Sequence, residues 1–176
     1  MKIKITIVCF FSFFYFNFAN AKLVSIATEN SKEFLLVSNV VQLLFEQLSF
    51  NVSIQQGDPN TFFFKTLEGE FNIFITRNTN EIKVLQNENP VMIKFATIFF
   101  ADDEKNDIVI LLNSNNIEDI DKGSLKVLSK LEFTKNGINS LIKYNSEELM
   151  SPRDAARNWL GTHPNTVEYL FDTSED

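Results

Sequence analysis

The chain is poor in the residues that build covalent or metal-based sites. Among its 176 residues there is one Cys, Cys9, and one His, His163, which excludes an internal disulfide and a zinc site made of Cys and His. It has no block of Lys or Arg, and its net charge is -7. Because nucleic-acid binding needs a basic face that neutralises phosphates, we expect no nucleic-acid partner.

Motifs for catalysis and cofactor binding are also missing. The sequence has no Gly-rich phosphate loop, no GxSxG and no HExxH. The acidic run 102–104 lacks the alternating ligands of a calcium loop and is interpreted as a solvated turn, and Glu118, Asp119 and Asp121 as acids in the first turn of a helix. His163, between two predicted helices, is expected to cap or to contact solvent. We therefore predict no metal, no cofactor and no enzyme; an exported hydrolase using His163 as its base is a remaining alternative.

The first 21 residues have the three parts of a secretory signal peptide. Lys2 and Lys4 form a basic start, an uncharged apolar run covers 5–18, and the small-residue pattern Ala-Asn-Ala covers 19–21. The run is about 14 residues long, shorter than the roughly 20 that a membrane-spanning helix needs. We predict cleavage after Ala21 and export to a bacterial periplasm, since the remaining 22–176 has no cysteine for disulfides.

Residues 22–76 alternate between β-branched runs and helical periodicity, which predicts a β-α-β-α-β order and an open, parallel sheet. The predicted strands are 22–27, 51–55 and 71–76, and the predicted helices are 31–48, with Asn30 as its cap, and 61–67, ended by Gly69. In such sheets ligands bind outside the carboxyl ends of the strands. The loops beginning at Thr28, Gly57 and Arg77 are therefore the predicted location of a site.

The second half of the chain is predicted to be mostly helical. Residues 77–94 are polar and weakly patterned, and 95–100 and 107–112 are typical of strands. Predicted helices cover 118–131, 135–144, 152–160 and 164–171. Ser151 before Pro152 is a strong helix start, and Gly161 is predicted to end that helix.

Two stretches resemble one protein family. Residues 22–81, beginning KLVSIATENSKEFLL, are similar to the opening lobe of the substrate-binding proteins of glycine betaine/proline-type ABC transporters. Residues 131–171 are similar to their C-terminal helices, and the segment MSPRDAARNW within them matches the family pattern at Met150, Ser151, Pro152, Asp154, Ala155, Ala156 and Trp159. The resemblance implies an α/β, periplasmic-binding-protein type II-like fold, an ABC permease as partner and a small polar solute as ligand.

The chain departs from this family in two ways. Family members have two lobes, whereas here little more than a dozen residues separate Glu81 from the returning strand at Phe95. We therefore expect a single shortened domain over 22–176, essentially one lobe with an open βαβ sheet followed by C-terminal helices. The resemblance also implies two cage tryptophans, at positions held here by Ser31 and Asn78, so neither ring for cation–π binding of a quaternary amine is present.

The polar residues at these loop positions are the candidate ligand-binding residues: Thr28, Asn30, Ser31, Thr76, Arg77 and Asn78. Arg77 is the most informative, because a guanidinium at a strand end can hold a carboxylate bidentately.

Two functions fit the sequence. The first is an exported solute-binding component, or a degenerate relative, of a betaine-type ABC transport system. The alternative is a periplasmic interaction module without a small ligand, which uses an apolar patch containing Phe62, Phe63, Phe64, Phe99 and Phe100. A symmetric homodimer could cover the face of the missing lobe.

Overall fold

The computed structural model describes residues 22–98, 107–129, 131, 133 and 135–162. The strands are β1 (Leu23–Glu29), β2 (Asn51–Gly57), β3 (Ile73–Arg77), β4 (Met92–Ile98) and β5 (Ile108–Asn113). The helices are α1 (Lys32–Gln47), α2 (Pro59–Leu67), α3 (Asn80–Glu88), α4 (Lys122–Ser129), α5 (Lys135–Ser146) and α6 (Pro152–Thr162), with a short 3₁₀ helix at Ser114–Asp119. The predicted α/β class and the β-α-β-α-β order of the first part are confirmed.

The strands form one five-stranded sheet in the order β2-β1-β3-β5-β4. β1 pairs in parallel with both β2 and β3, whereas β5 runs antiparallel to β3 and β4. Parallel neighbours require a crossover, which α1 and α2 supply. The carboxyl ends of β1, β2 and β3 therefore meet at the same edge of the sheet.

Two apolar clusters cover the two faces of the sheet. The larger one contains Val24 and Ile26 of β1 and the buried stripe of α1, together with residues from α4, α5 and α6. The smaller one contains Ala27 and Phe74 with residues of α2 and α3. Alternate residues of a strand point to opposite faces of the sheet. The cluster to which a strand residue belongs therefore shows which face its side chain occupies.

The interaction patch predicted from the phenylalanines is not supported. Phe62 is 3% exposed and Phe63 is 0% exposed, because both belong to the smaller cluster, whereas Phe64 is 48% exposed. Phe99 and Phe100 lie outside the described residues. A helix that packs one face on a sheet buries the neighbouring residues that share that face.

The cap of α1 corrects one prediction. Ser31, not Asn30, is the N-cap: its hydroxyl accepts the Phe34 N–H at 3.5 Å and donates to the Glu33 carboxylate at 2.9 Å. Both residues are good capping types, and β1 continues to Glu29, one turn residue before Ser31. The last strand residues thus lie closer to the helix start than predicted.

Helix α3 was missed in the weakly patterned stretch 77–94. Its start is defined by Thr79, whose hydroxyl accepts the Ile82 N–H at 3.2 Å. Ile82 is the one buried residue of this nine-residue helix, so the sequence carries almost no apolar periodicity.

The predicted helix 118–131 was wrong at its start. Glu118 and Asp119 belong to the 3₁₀ helix, and Asp121 caps α4, where it accepts the Ser124 N–H at 2.9 Å and the Ser124 hydroxyl at 2.7 Å. These two hydrogen bonds hold the pKa of the Asp121 carboxyl below its usual value.

The prediction that Gly161 ends α6 was also wrong, since the helix continues to Thr162. A glycine ends a helix when it adopts a positive φ after the last turn, as Gly69 does after α2 with φ 90°. The hydroxyl of Thr162 instead donates to the Asn158 carbonyl at 3.0 Å, within a continued helical turn.

The C-terminal helices pack onto the larger cluster. The predicted cap is confirmed, because Ser151 accepts the Asp154 N–H at 3.1 Å. Trp159 is 1% exposed, stacks on Phe133 with ring centroids 4.9 Å apart, and donates from Nε1 to the Gly137 carbonyl at 2.8 Å.

A bidentate ion pair also fastens α6 to α1. The Arg153 guanidinium donates to both carboxylate oxygens of Glu46, at 3.0 and 2.5 Å, across 107 residues of sequence. These hydrogen bonds raise the pKa of Arg153 above its usual value.

Several predictions fall outside the described residues: the signal peptide 1–21, the acidic run 102–104, His163 and the helix 164–171. No helix in the described part of the chain is long and apolar enough to cross a membrane. Within the same residues, no group of three or more His, Cys, Asp or Glu side chains is arranged to hold a metal ion.

Candidate functional site

The carboxyl edge of the three parallel strands carries the candidate site. β1 ends at Glu29, β2 at Gly57 and β3 at Arg77, and each is followed within a few residues by the start of a helix. Side chains and helix N-termini converge at such an edge because the crossover helices run back from it. This is the location that the sequence predicted.

The carboxylate of Glu29, at the end of β1, is held in place by two hydrogen bonds. Its Oε1 accepts the Thr76 hydroxyl at 2.5 Å and the Arg77 backbone N–H at 2.6 Å. The alternation along β1 and β3 places Glu29 and Thr76 on the same face, the one covered by α2 and α3. The two hydrogen bonds hold one carboxylate oxygen in place across neighbouring strands, and Oε2 accepts none from the described residues.

A cavity of about 140 Å³ opens beside this carboxylate. Its walls are formed by the ends of β1 and β3 and the first turns of α2 and α3, through Glu29, Pro59, Asn60, Arg77, Thr79, Glu81 and Ile82. Two carboxylates, one amide and one hydroxyl thus surround a small volume. None of these seven lining residues is aromatic.

The walls are held by local hydrogen bonds. The Asn60 side-chain amide donates to Glu81 Oε1 at 2.9 Å, which joins the first turn of α2 to that of α3. Asp58 caps α2 by accepting the Thr61 N–H at 2.8 Å, and this bond lowers the pKa of the Asp58 carboxyl. Both helix starts are therefore fixed relative to the strand ends.

Arg77 lies at the boundary of the two faces. Its backbone N–H binds Glu29, whereas its guanidinium carbon lies 5.6 Å from the centroid of the Phe34 ring, on the α1 side of the sheet. Its Nε is buried and has no hydrogen-bond partner, and the guanidinium forms no ion pair with any described residue.

Thr28 shares the Arg77 face. It is 0% exposed, and its hydroxyl is buried without a hydrogen-bond partner. An unpaired buried hydroxyl costs free energy, so the edge contains a polar position that packing alone does not explain.

The other predicted site residues do not line the cavity. Asn30 is exposed, Ser31 is engaged as the cap of α1, and the backbone N–H of Asn78 donates to the Asp107 carbonyl at 2.7 Å. Of the six predicted residues, Arg77 lines the cavity and Thr76 holds its carboxylate.

Four polar lining residues were not predicted: Glu29, Asn60, Thr79 and Glu81. Glu29 could have been predicted from the sequence. A carboxylate at the end of an apolar strand lies at the carboxyl edge of the sheet, where open α/β sheets bind their ligands. Thr79 and Glu81 depended on α3, which the sequence did not reveal.

The similarity of this chain to known proteins is found in its structure and not in its sequence. No protein-family model and no curated protein sequence matches the chain. Lactococcal OpuAC, solved in a closed conformation with glycine betaine, superposes with a TM-score of 0.69 at 10% identity, over 86% of this chain and 100% of that one. The chain has the fold of a solute-binding protein. This is the type II periplasmic-binding-protein fold expected from the sequence.

Two further solved structures agree. An ABC-transporter choline-binding protein in complex with choline gives a TM-score of 0.72 at 7% identity, over 86% of this chain and 92% of that one. The glycine betaine/L-proline-binding protein ProX from Borrelia burgdorferi gives 0.68 at 10% identity, over 86% and 100%. The likeness therefore extends well beyond the parallel strands β1–β3.

Proposed function

We propose that the chain is the solute-binding component of an ABC import system and that it binds a small polar solute at the carboxyl edge of β1–β3. The observation that carries this proposal is the cavity beside Glu29, which lies where open α/β sheets bind their ligands, in a chain with the fold of solute-binding proteins. A pre-formed concave site with a few convergent polar groups is typical of small-molecule binding.

The candidate residues divide into two roles. Arg77 lines the cavity at the end of β3, with its guanidinium on the other face of the sheet, and Thr76 holds the Glu29 carboxylate in place. Asn30, Ser31 and Asn78 remain predicted contacts at the rim of the site, whereas Thr28 is buried on the α1 face and is not expected to contact the solute. The function is binding and delivery, without a catalytic step.

The aromatic cage implied by the resemblance is not part of this cavity. The lining contains no aromatic ring, and the two cage positions are held by Ser31 and Asn78. Binding of a quaternary amine by cation–π contact therefore lacks its physical basis here.

The proposal also includes export of the chain and an ABC permease as its partner. Cleavage after Ala21 would release a single shortened domain, 22–176, into the periplasm, where an ABC permease is the partner. A homodimer covering the face of the missing lobe stays a prediction, which the molar mass measured by light scattering would test.

The experiment is a calorimetric titration of the purified protein with glycine betaine, choline, carnitine and proline, combined with co-purification of the permease from membranes. Micromolar binding of one solute, or stable association with the permease, would support the proposal. A folded protein that binds none of them and does not associate with the permease would contradict it.

A further inference from the structure

We infer that the cavity selects a small amine whose cationic nitrogen carries N–H groups, over the fully methylated quaternary amine of the same skeleton. This inference rests on the proposed function, because it names the solute class of the same site. Three properties of the cavity carry it: its charge, its hydrogen-bond acceptors and its size.

The charge of the lining favours a cation. Glu29 and Glu81 contribute two carboxylates, whereas the guanidinium of Arg77 is directed toward Phe34 on the other face of the sheet. A positively charged group in the cavity would therefore face more negative than positive charge. An opposite charge within a few ångströms is favourable, the more so where water is partly excluded.

The free hydrogen-bond acceptor in the cavity favours a cation that carries an N–H donor. Oε1 of Glu29 already accepts two hydrogen bonds, and Oε2 accepts none from the described residues. A protonated primary, secondary or tertiary amine can donate to this free oxygen, in a charge-assisted hydrogen bond. A quaternary ammonium has no N–H, so its methyl groups would shield the carboxylate from water without replacing the lost hydrogen bonds.

The lining also lacks the aromatic rings that usually bind a methylated cation in place of hydrogen bonds. Aromatic faces attract such cations without hydrogen bonds, but none of the seven lining residues is aromatic. The cavity is also small, about 140 Å³, so a bound amine lies close to the lining carboxylates. Each added methyl group therefore takes up space and removes a donor.

A methylation ladder on one skeleton tests this directly. Glycine, sarcosine, dimethylglycine and glycine betaine differ by one methyl group at each step, and the last step removes the final N–H. Calorimetric titration of the purified protein should give affinities that fall along the ladder, with glycine betaine weaker than glycine by about tenfold or more, as expected for a lost hydrogen bond to a charged group.

Two substitutions test whether the affinities along the methylation series depend on the carboxylates of the cavity. Glu29→Gln should weaken the N–H-bearing compounds by about tenfold and reduce the difference between glycine and glycine betaine. Because Glu29 also binds Thr76 and the Arg77 backbone, Glu81→Gln provides a second test at an exposed position. Glu88→Gln removes the same charge from the same helix outside the cavity and should leave all four affinities unchanged.

The outcomes separate the inference from the proposed function. Glycine betaine binding as tightly as glycine would overturn the inference and leave a solute-binding protein. Binding of choline or carnitine with silence across the ladder would do the same. A folded protein that binds no compound of either panel and does not associate with the permease would overturn both.

Discussion

Replacing Trp159 by Phe tests how the C-terminal helices are held on the sheet. The variant keeps a ring that can stack on Phe133 but removes the Nε1 donor that binds the Gly137 carbonyl at 2.8 Å. Losing that donor in a buried site should cost about 1–3 kcal/mol, and the smaller ring leaves a void that adds about 1 kcal/mol. We expect the free energy of unfolding to fall by about 2–4 kcal/mol, below the roughly 3–5 kcal/mol typical of complete removal of such a ring.

The assay is urea unfolding followed by far-UV circular dichroism, because Trp159 is the only tryptophan and cannot serve as the fluorescent probe in its own variant. Asn139→Ala, at an exposed position of α5, is the matched control and should change the unfolding free energy by no more than about 0.5 kcal/mol. A loss below about 1 kcal/mol for Trp159→Phe would show that neither the hydrogen bond nor the ring volume stabilises this contact.

Three further substitutions test the strand ends and caps. Thr28→Val replaces a buried hydroxyl that has no partner and should raise the unfolding free energy by about 1 kcal/mol without changing solute affinity; a loss of affinity would make Thr28 a ligand contact. Gly57→Ala would place a Cβ 2.6 Å from Cζ of the buried Phe62 and should cost about 1–3 kcal/mol in the same urea assay, so a neutral result would contradict the packing. Asp121→Ala removes the cap of α4 and should cost about 0.5–1 kcal/mol at pH 7. Because the folded-state pKa of Asp121 is lowered by Ser124, this stability is present above the usual value of 3.8 and is lost as the pH falls through the folded pKa. A pH-independent difference between the two proteins would contradict that reason.

Strong periodicity made the first half of the fold predictable. The stripe containing Phe34, Val37 and Val41 is buried in α1, and β1, β2 and β3 lie where the β-branched runs predicted them. α1, β1 and β3 bury most of their apolar residues, and Val52 and Ile54 of β2 are half-buried against the larger cluster, so the sequence pattern and the core have the same origin.

Helix α3 could not be predicted for the opposite reason. It buries Ile82 alone and begins at a Thr79 cap that occurs in many loops. Gly161 misled the prediction because a glycine alone does not end a helix; the terminating conformation, seen at Gly69, also depends on the residues after the glycine.

The sequence predicted the edge at which the candidate cavity lies, but not most of the polar residues that line it. Topology fixed the edge, because parallel strands end together. The identity of the lining depended on the face to which each side chain points. Glu29 and Thr76 lie on the α2–α3 face beside the cavity, whereas Thr28 lies on the α1 face. A one-residue change along a strand reverses the face, so a list of loop residues cannot separate cavity from rim.

The most direct test of a solute site at this edge is a map of backbone amide shifts in the ¹⁵N-labelled protein during titration with glycine. The account predicts that the largest changes occur at Asn60, Arg77, Thr79 and Glu81, around the cavity. Changes at the opposite edge, near Asn72 and Asn113, or no saturable change in a folded protein, would contradict it.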